Sequence, residues 1–223
     1  MKIAKRLILA FLILFLISCN VDELVSEIAK EEITAKEKIG AVINIAKRNF
    51  ASDAKLSAIY GREVNTEGKI DLLNTSSVSA FVYIVQSDTL QLNEFYVPVI
   101  GSDPIKSPVN FNTMLSFIKN NSARNIMETV FGTLATISIS SSAVYDDSPQ
   151  VLNGMLSRSD VSSFRSTNPG SKIDMFLVPS KSVDSTNVNS SADWIVNFYG
   201  DTSSLVLWLH PGTVEGTTDV ISN

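Results

Sequence analysis

The stretch that most limits what this chain can become is its beginning. Leu7–Ile17 is apolar at every position, the cations Lys2, Lys5 and Arg6 precede it, and Asn20, Asp22 and Glu23 end it. The run is far shorter than the roughly 20 residues a membrane-spanning helix needs. A core helix would carry a polar face, and this run has none. A basic start, a short apolar core and the small residue Ser18 together read as a secretory signal over residues 1–18. The folded part must then be built from residues beyond the signal. The only cysteine of the chain, Cys19, stands at the processing point.

The segment Leu16-Ile17-Ser18-Cys19 resembles the lipobox of bacterial lipoproteins. The resemblance implies that the Cys19 thiol is diacylated and that Cys19 becomes the first residue after cleavage. Each buried methylene of an acyl chain contributes about 0.8 kcal/mol, and two chains hold where one holds marginally. The implied location is the bacterial cell envelope, with residues 19–34 as a lipidated tether. Asn20 is not the aspartate that retains some lipoproteins at the inner membrane, so the expectation is the outer membrane or cell surface. With its one cysteine acylated, the chain has no thiol left for a disulfide. Packing must supply the stability.

Roughly 200 residues remain after the signal, enough for one domain or two small ones. The apolar fraction of 44% is ordinary for a globular chain. The net charge of −5 is mild, and no basic stripe follows the signal, which argues against nucleic acid as a partner.

Ile39, Val42, Ile43 and Ala46 follow helical spacing, Glu32 and Lys36 stand as an i, i+4 ion pair, and together they predict a helix over about 24–50. Alternation predicts strands at Lys55–Tyr60, Ser79–Val85 and Glu94–Ile100, the last at an edge or ending in a bulge because Pro98 cannot donate. Gly101–Pro108 reads as a linker. Phe111, Met114, Leu115 and Ile118 suggest a helix, and Thr136–Val144 a strand, within a connecting segment 109–146. Asp147 or Ser148 can cap a helix over 149–164, with Pro149 in its first turn. Strands follow at Ile173–Val178, Asp193–Tyr199 and Leu205–His210. Each half thus reads helix, strand, strand, strand, with a first unit over 35–108 and a second over 147–223.

That order resembles the PepSY-like modules of secreted bacterial proteins. The features that carry it are the last hairpin, Trp194 to Gly200-Asp201 then Leu205–Leu209 and Gly212, the helix entry Asp147-Ser148-Pro149, and the exit Asn168-Pro169-Gly170. The tandem arrangement is similar to β-lactamase-inhibitor proteins, whose two units present a concave sheet to an enzyme. The expectation is an α+β protein of two repeated units, each a helix packed on a small antiparallel sheet.

Chemistry is sparse. His210 is the only histidine, which excludes a multi-histidine metal site within one chain, and it sits at a strand end. No Gly-x-Ser-x-Gly elbow occurs. Ser52-Asp53-Ala54-Lys55 and Ser116-Phe117-Ile118-Lys119 match Ser-x-x-Lys without its usual companions, and Asp184–Asn189 lacks the glycine and glutamate of a calcium loop. The paired carboxylates Asp146-Asp147 read as a solvated cap. No cofactor and no catalytic residue is expected. The aromatics on strands are the remaining candidates. Alternation sets Trp194, Val196 and Phe198 on one face and Ile195, Asn197 and Tyr199 on the other. If one face is left open, Tyr83, Tyr96, Tyr199 and Trp208 are the expected contacts for a protein or peptide partner. The functional expectation is a non-catalytic, lipid-anchored envelope protein. The alternatives are a structural component of an envelope assembly and a hydrolase with an unrecognised site near His210.

Overall fold

A computed structural model describes residues 32–73, 79–99, 102–106, 124–126, 128, 137–180, 191–210 and 213–217. The chain divides into Met1–Glu32 and Ile33–Asn223, and the second part is one compact unit. Among the described residues no helix is long and apolar enough to cross a membrane.

The strands are β1 (Glu32–Ile33), β2 (Lys55–Arg62), β3 (Ile70–Asp71), β4 (Ala80–Ser87), β5 (Leu92–Val99), β6 (Ser102–Lys106), β7 (Lys172–Pro179), β8 (Ala192–Tyr199), β9 (Ser204–His210) and β10 (Thr213–Thr217). The helices with described ranges are α1 (Ile39–Asn49), α2 (Ser148–Leu156) and α3 (Ser159–Thr167), and residues 124–126 and 128 are also helical. β1 and β3 form a two-stranded sheet, and the other strands form one sheet in the order β10-β9-β8-β7-β2-β4-β5-β6. Every pairing in it is antiparallel.

This corrects the expected fold. The chain is not two repeated units of a helix on a small sheet; it is a sheet-dominated fold in which one sheet runs through both halves. The reason is the fate of β2 and β7. As the edges of separate sheets, each would leave a row of backbone N–H and C=O groups unpaired. Instead they pair with each other, Ile59 opposite Leu177, Tyr60 opposite Phe176 and Gly61 opposite Met175.

α1, α2 and α3 share one face of this sheet. Val42, Ile45 and Ala46 of α1, Val151, Leu152 and Met155 of α2 and Val161 of α3 pack in a single cluster with the strands. Alternation decides which strand residues they meet: Phe81, Tyr83, Val85, Met175, Leu177, Trp194, Val196 and Phe198. The opposite face gathers Ala58, Tyr60, Val82, Ile84, Phe95, Phe176, Val178 and Ile195 in a second, smaller cluster. Tyr60 and Phe176 stack across the β2–β7 pairing, with centroids 4.8 Å apart and planes at 13°.

Several local expectations also change. The helix expected from residue 24 is, over the described part, α1 alone. Residues 34–38 are held in a turn by side chains from far along the chain. Asp147 accepts from the Thr34 hydroxyl (2.6 Å) and the Lys36 N–H (3.0 Å). The Ser148 hydroxyl accepts from the Ala35 N–H (3.1 Å) and donates to the Gly68 carbonyl (2.6 Å). Lys36 therefore does not pair with Glu32 along a helix; its ammonium bonds the Tyr145 carbonyl and lies 4.2 Å from that ring's centroid. The expected linker contains β6, so β5 is not an edge strand, while the bulge expected at Pro98 is present as a register slip between Val97 and Val99. Residues 137–145 are not a strand; they carry one isolated bridge, Val144 to Ser191. The helix expected over 149–164 is broken into α2 and α3 at Ser157-Arg158. Asp147 caps α2 as expected, accepting from the Ser148 N–H at 2.7 Å. The helix expected around 111–118 lies outside the described residues.

Two glycines distinguish packing from backbone preference. A Cβ on Gly61 would stand 2.7 Å from a Phe81 ring carbon and 2.8 Å from Val64, inside the core, whereas one on Gly40 in α1 would meet nothing within 4 Å. Gly61→Ala should lower unfolding stability by about 1–3 kcal/mol through overpacking. Gly40→Ala should raise it by about 0.5–1 kcal/mol through helix propensity. Urea unfolding of the two variants checks both signs.

Candidate functional site

The sheet face away from α1, α2 and α3 carries the polar groups that an apolar sheet has to account for. Three lie on β7 and β8: Asp174, Asp193 and Asn197, all buried. Strand alternation puts them on the same side as Tyr60, Phe176, Ile195 and Val206.

Asp174 lies opposite Asn197, beside the β2–β7 pairing. Its Oδ2 accepts from the Tyr60 hydroxyl (3.1 Å), and its Oδ1 accepts from the Glu63 N–H (2.9 Å) and the Tyr199 hydroxyl (3.4 Å). Burial pushes the Asp174 carboxyl up to about 6, against the opposing pull of the Glu63 and Tyr60 hydrogen bonds and the Arg62 charge. Burial, with the charge of Asp174, also raises the Tyr60 and Tyr199 phenols. Both therefore act as neutral donors. Glu63 is fixed in turn by an ion pair with Lys172 at 2.8 Å. Asn197 is 0% exposed, and neither its Oδ1 nor its Nδ2 has a hydrogen-bond partner among the described residues.

Asp193 organises the other polar post. Its Oδ2 accepts from the Trp208 indole N–H at 2.9 Å and lies 2.7 Å from His210 Nδ1. Asp193 is 0% exposed, whereas Trp208 and His210 are half-buried. Their rings stack with centroids 5.9 Å apart and planes at 28°. Trp208 and His210 are two apart on β9, so they project to the same side. The arrangement does two things chemically. It fixes the orientation of an indole whose surface stays partly open, and it sets a carboxylate oxygen 2.7 Å from the histidine Nδ1.

The four aromatics expected to meet a partner are not on one surface. Tyr83 and Tyr96 are opposite each other on β4 and β5, on the helix side, at 0% and 1% exposure. The Tyr83 hydroxyl is spent on the Ala35 carbonyl at 2.9 Å. Tyr199 and Trp208 lie on the other face and are half-buried. That face is also packed over most of its width, with Tyr60, Ile84, Phe176 and Ile195 buried and Ile126 against them. The part left partly open runs along β9, through Val206, Trp208 and His210, with Tyr199 on the neighbouring strand.

The other candidates resolve simply. Cys19, Ser116 and Asp184–Asn189 lie outside the described residues. Lys55 of the Ser52 motif pairs with Asp88. Asp53 of the same motif ties the β4–β5 hairpin, accepting from Thr89 and Ser87. Asp147 is the structural cap described above. Among the described residues no group of three or more His, Cys, Asp or Glu side chains converges as metal ligands.

Asp174 and Asp193 escaped the sequence reading, and Asn197 was placed on this face without being recognised as a site residue. Their signal was present: a lone polar residue inside a strand that is otherwise apolar at both parities, as in Lys-Ile-Asp-Met-Phe-Leu-Val and Trp-Ile-Val-Asn-Phe. Such a residue must be buried and bonded, or it must meet a partner.

Comparison with known proteins found no matching family model, no matching curated protein and no matching solved structure.

An acid whose folded-state pKa lies above its unfolded value holds its proton more tightly when folded. Stability is then greatest at low pH and falls as pH rises through the folded pKa. For Asp174 the window runs from about 4, the unfolded value, to about 6. Its contribution to the fall should be on the order of 3 kcal/mol. Asp174→Asn should flatten the dependence in that window when unfolding is followed by urea titration at stepped pH. An unchanged slope would contradict the assignment.

Proposed function

We propose that this chain is a non-catalytic, lipid-anchored protein of the bacterial cell envelope that binds a protein or peptide partner along β9. The observation that carries the binding reading is the buried Asp193, which holds Trp208 and His210 side by side while both rings stay partly open. A tryptophan with a fixed ring and a spent N–H offers large apolar area at little further entropy cost. Residues of this kind dominate interface energetics. Tyr199 and Val206 extend the same partly open strip. The anchoring reading rests on the signal and on Cys19 at its end. Outer-membrane or surface placement rests on the residue after Cys19 being Asn20 rather than an aspartate. The tether then leaves the folded unit free to meet partners near the membrane.

A photo-crosslinking phenylalanine derivative at Val206, in the full acylated chain expressed in a bacterial host, tests the binding strip. The control position is Leu92, 61% exposed and on β5, toward the other end of the sheet. The expected result is an adduct of one defined size from Val206 and none from Leu92. Adding Trp208→Ala should weaken partner affinity at least about thirty-fold and abolish the adduct while the chain stays folded. Cys19→Ala should shift the chain from the membrane to the soluble fraction. Equal adducts from both positions, or an adduct that survives Trp208→Ala, would reject the strip. Membrane retention of Cys19→Ala would reject the anchor.

A further inference from the structure

Two cavities lined by described residues flank α1. The cavity beside the C-terminal end of α1 and strands β5 and β6 is about 410 Å³. Its Lys106 is bound to Glu94 of the same lining at 2.6 Å, with Arg48 in the same wall. The cavity on the other flank is about 430 Å³ and lies between α1, the start of β2 and residues 138–145. Its described lining is graded. Leu56 and Ile139 are buried at the floor with Ala54 and Ser138 beside them, Ile39 and Ile43 of α1 are half-buried along the wall, and Lys47 and Ser141 are exposed at the mouth. Lys47 makes no ion pair among the described residues, and Lys55, also at the mouth, is held by Asp88.

A floor of branched aliphatics under a cationic, hydroxyl-bearing mouth matches a molecule with an apolar chain and a negative end. The volume is at the lower end of the range for small-molecule sites, which suits a chain of modest length. An ammonium and a hydroxyl together can hold a carboxylate through charge-assisted hydrogen bonds. We propose that this cavity binds a medium-chain fatty acid, its hydrocarbon on Ile43, Leu56 and Ile139 and its carboxylate at Lys47 and Ser141. This site uses neither the β9 strip nor Cys19, so it stands or falls apart from the partner-binding reading.

The test is photolabelling of the full acylated chain in its membrane with a diazirine-bearing dodecanoate, with mapping of the labelled peptides. The label should map to α1, the start of β2 and residues 138–145, and unlabelled dodecanoate should compete. Competition should strengthen about fourfold per methylene from octanoate to dodecanoate, the increment expected for a buried methylene. Lys47→Glu, a change at an exposed position, should reduce labelling at least tenfold, and Lys47→Arg should retain it. Ile43→Trp should fill the cavity and remove the label, with thermal unfolding confirming that the variant is folded. Label confined to other segments, competition by dodecanol equal to that by dodecanoate, or labelling indifferent to Lys47→Glu would overturn the proposal.

Discussion

The pairing of β2 with β7 is the contact on which the rest of the structure depends. It joins strands more than a hundred residues apart in sequence and makes one sheet of the two halves. It is reinforced by side chains from both strands. Tyr60 stacks on Phe176 and donates to Asp174, and the Asp174 carboxylate also takes the Glu63 N–H where β2 ends. A buried carboxylate is costly unless its lone pairs are satisfied. Here the two shorter bonds come from β2 and its exit, with Tyr199 of β8 adding a longer one, so Asp174 is best accommodated when the halves are in register. The helices depend on the same contact, because the face they share is continuous only if the sheet is.

A second long-range tie works at the edge of this core. Asp147 and Ser148 bind the backbone of residues 34–36, and Ser148 also reaches Gly68, whose φ of +75° and close approach to Ser148 leave no room for a side chain. The entry of the chain into the compact unit is thereby fastened to the start of α2. This explains why residues that look helical in isolation are held in a turn. A local ion pair offers a few tenths of a kcal/mol, and it loses to several buried hydrogen bonds.

The strands were legible in the chain because alternation is a local property. Residues such as Phe81, Tyr83, Trp194 and Val196 announced both their element and their shared parity. Which strands would pair was not local. Ile59 carries no sign that Leu177 is its neighbour, and a meander of similar pattern in each half invites a reading as two separate sheets. The same limit applied to the site. Tyr83 and Trp208 look equivalent by composition, yet one faces the helices and the other the opposite face. Only the sheet order distinguishes them. His210 was visible as the single histidine, but the Asp193 that engages it lies one strand away and carries no motif. Asn197 was placed on the correct face by parity, and its lack of bonding partners among the described residues emerges only once its neighbours are known.

Native-state hydrogen exchange across β2 and β7 tests the central claim most directly. If their pairing unites the halves, the amides of Ile59, Tyr60, Phe176 and Leu177 belong to the slowest class. They should exchange only by global unfolding, with a denaturant dependence equal to that of the whole unit. Exchange of these amides through a smaller opening, while the outer strands of each half stay protected, would show two units that merely abut and would contradict the account.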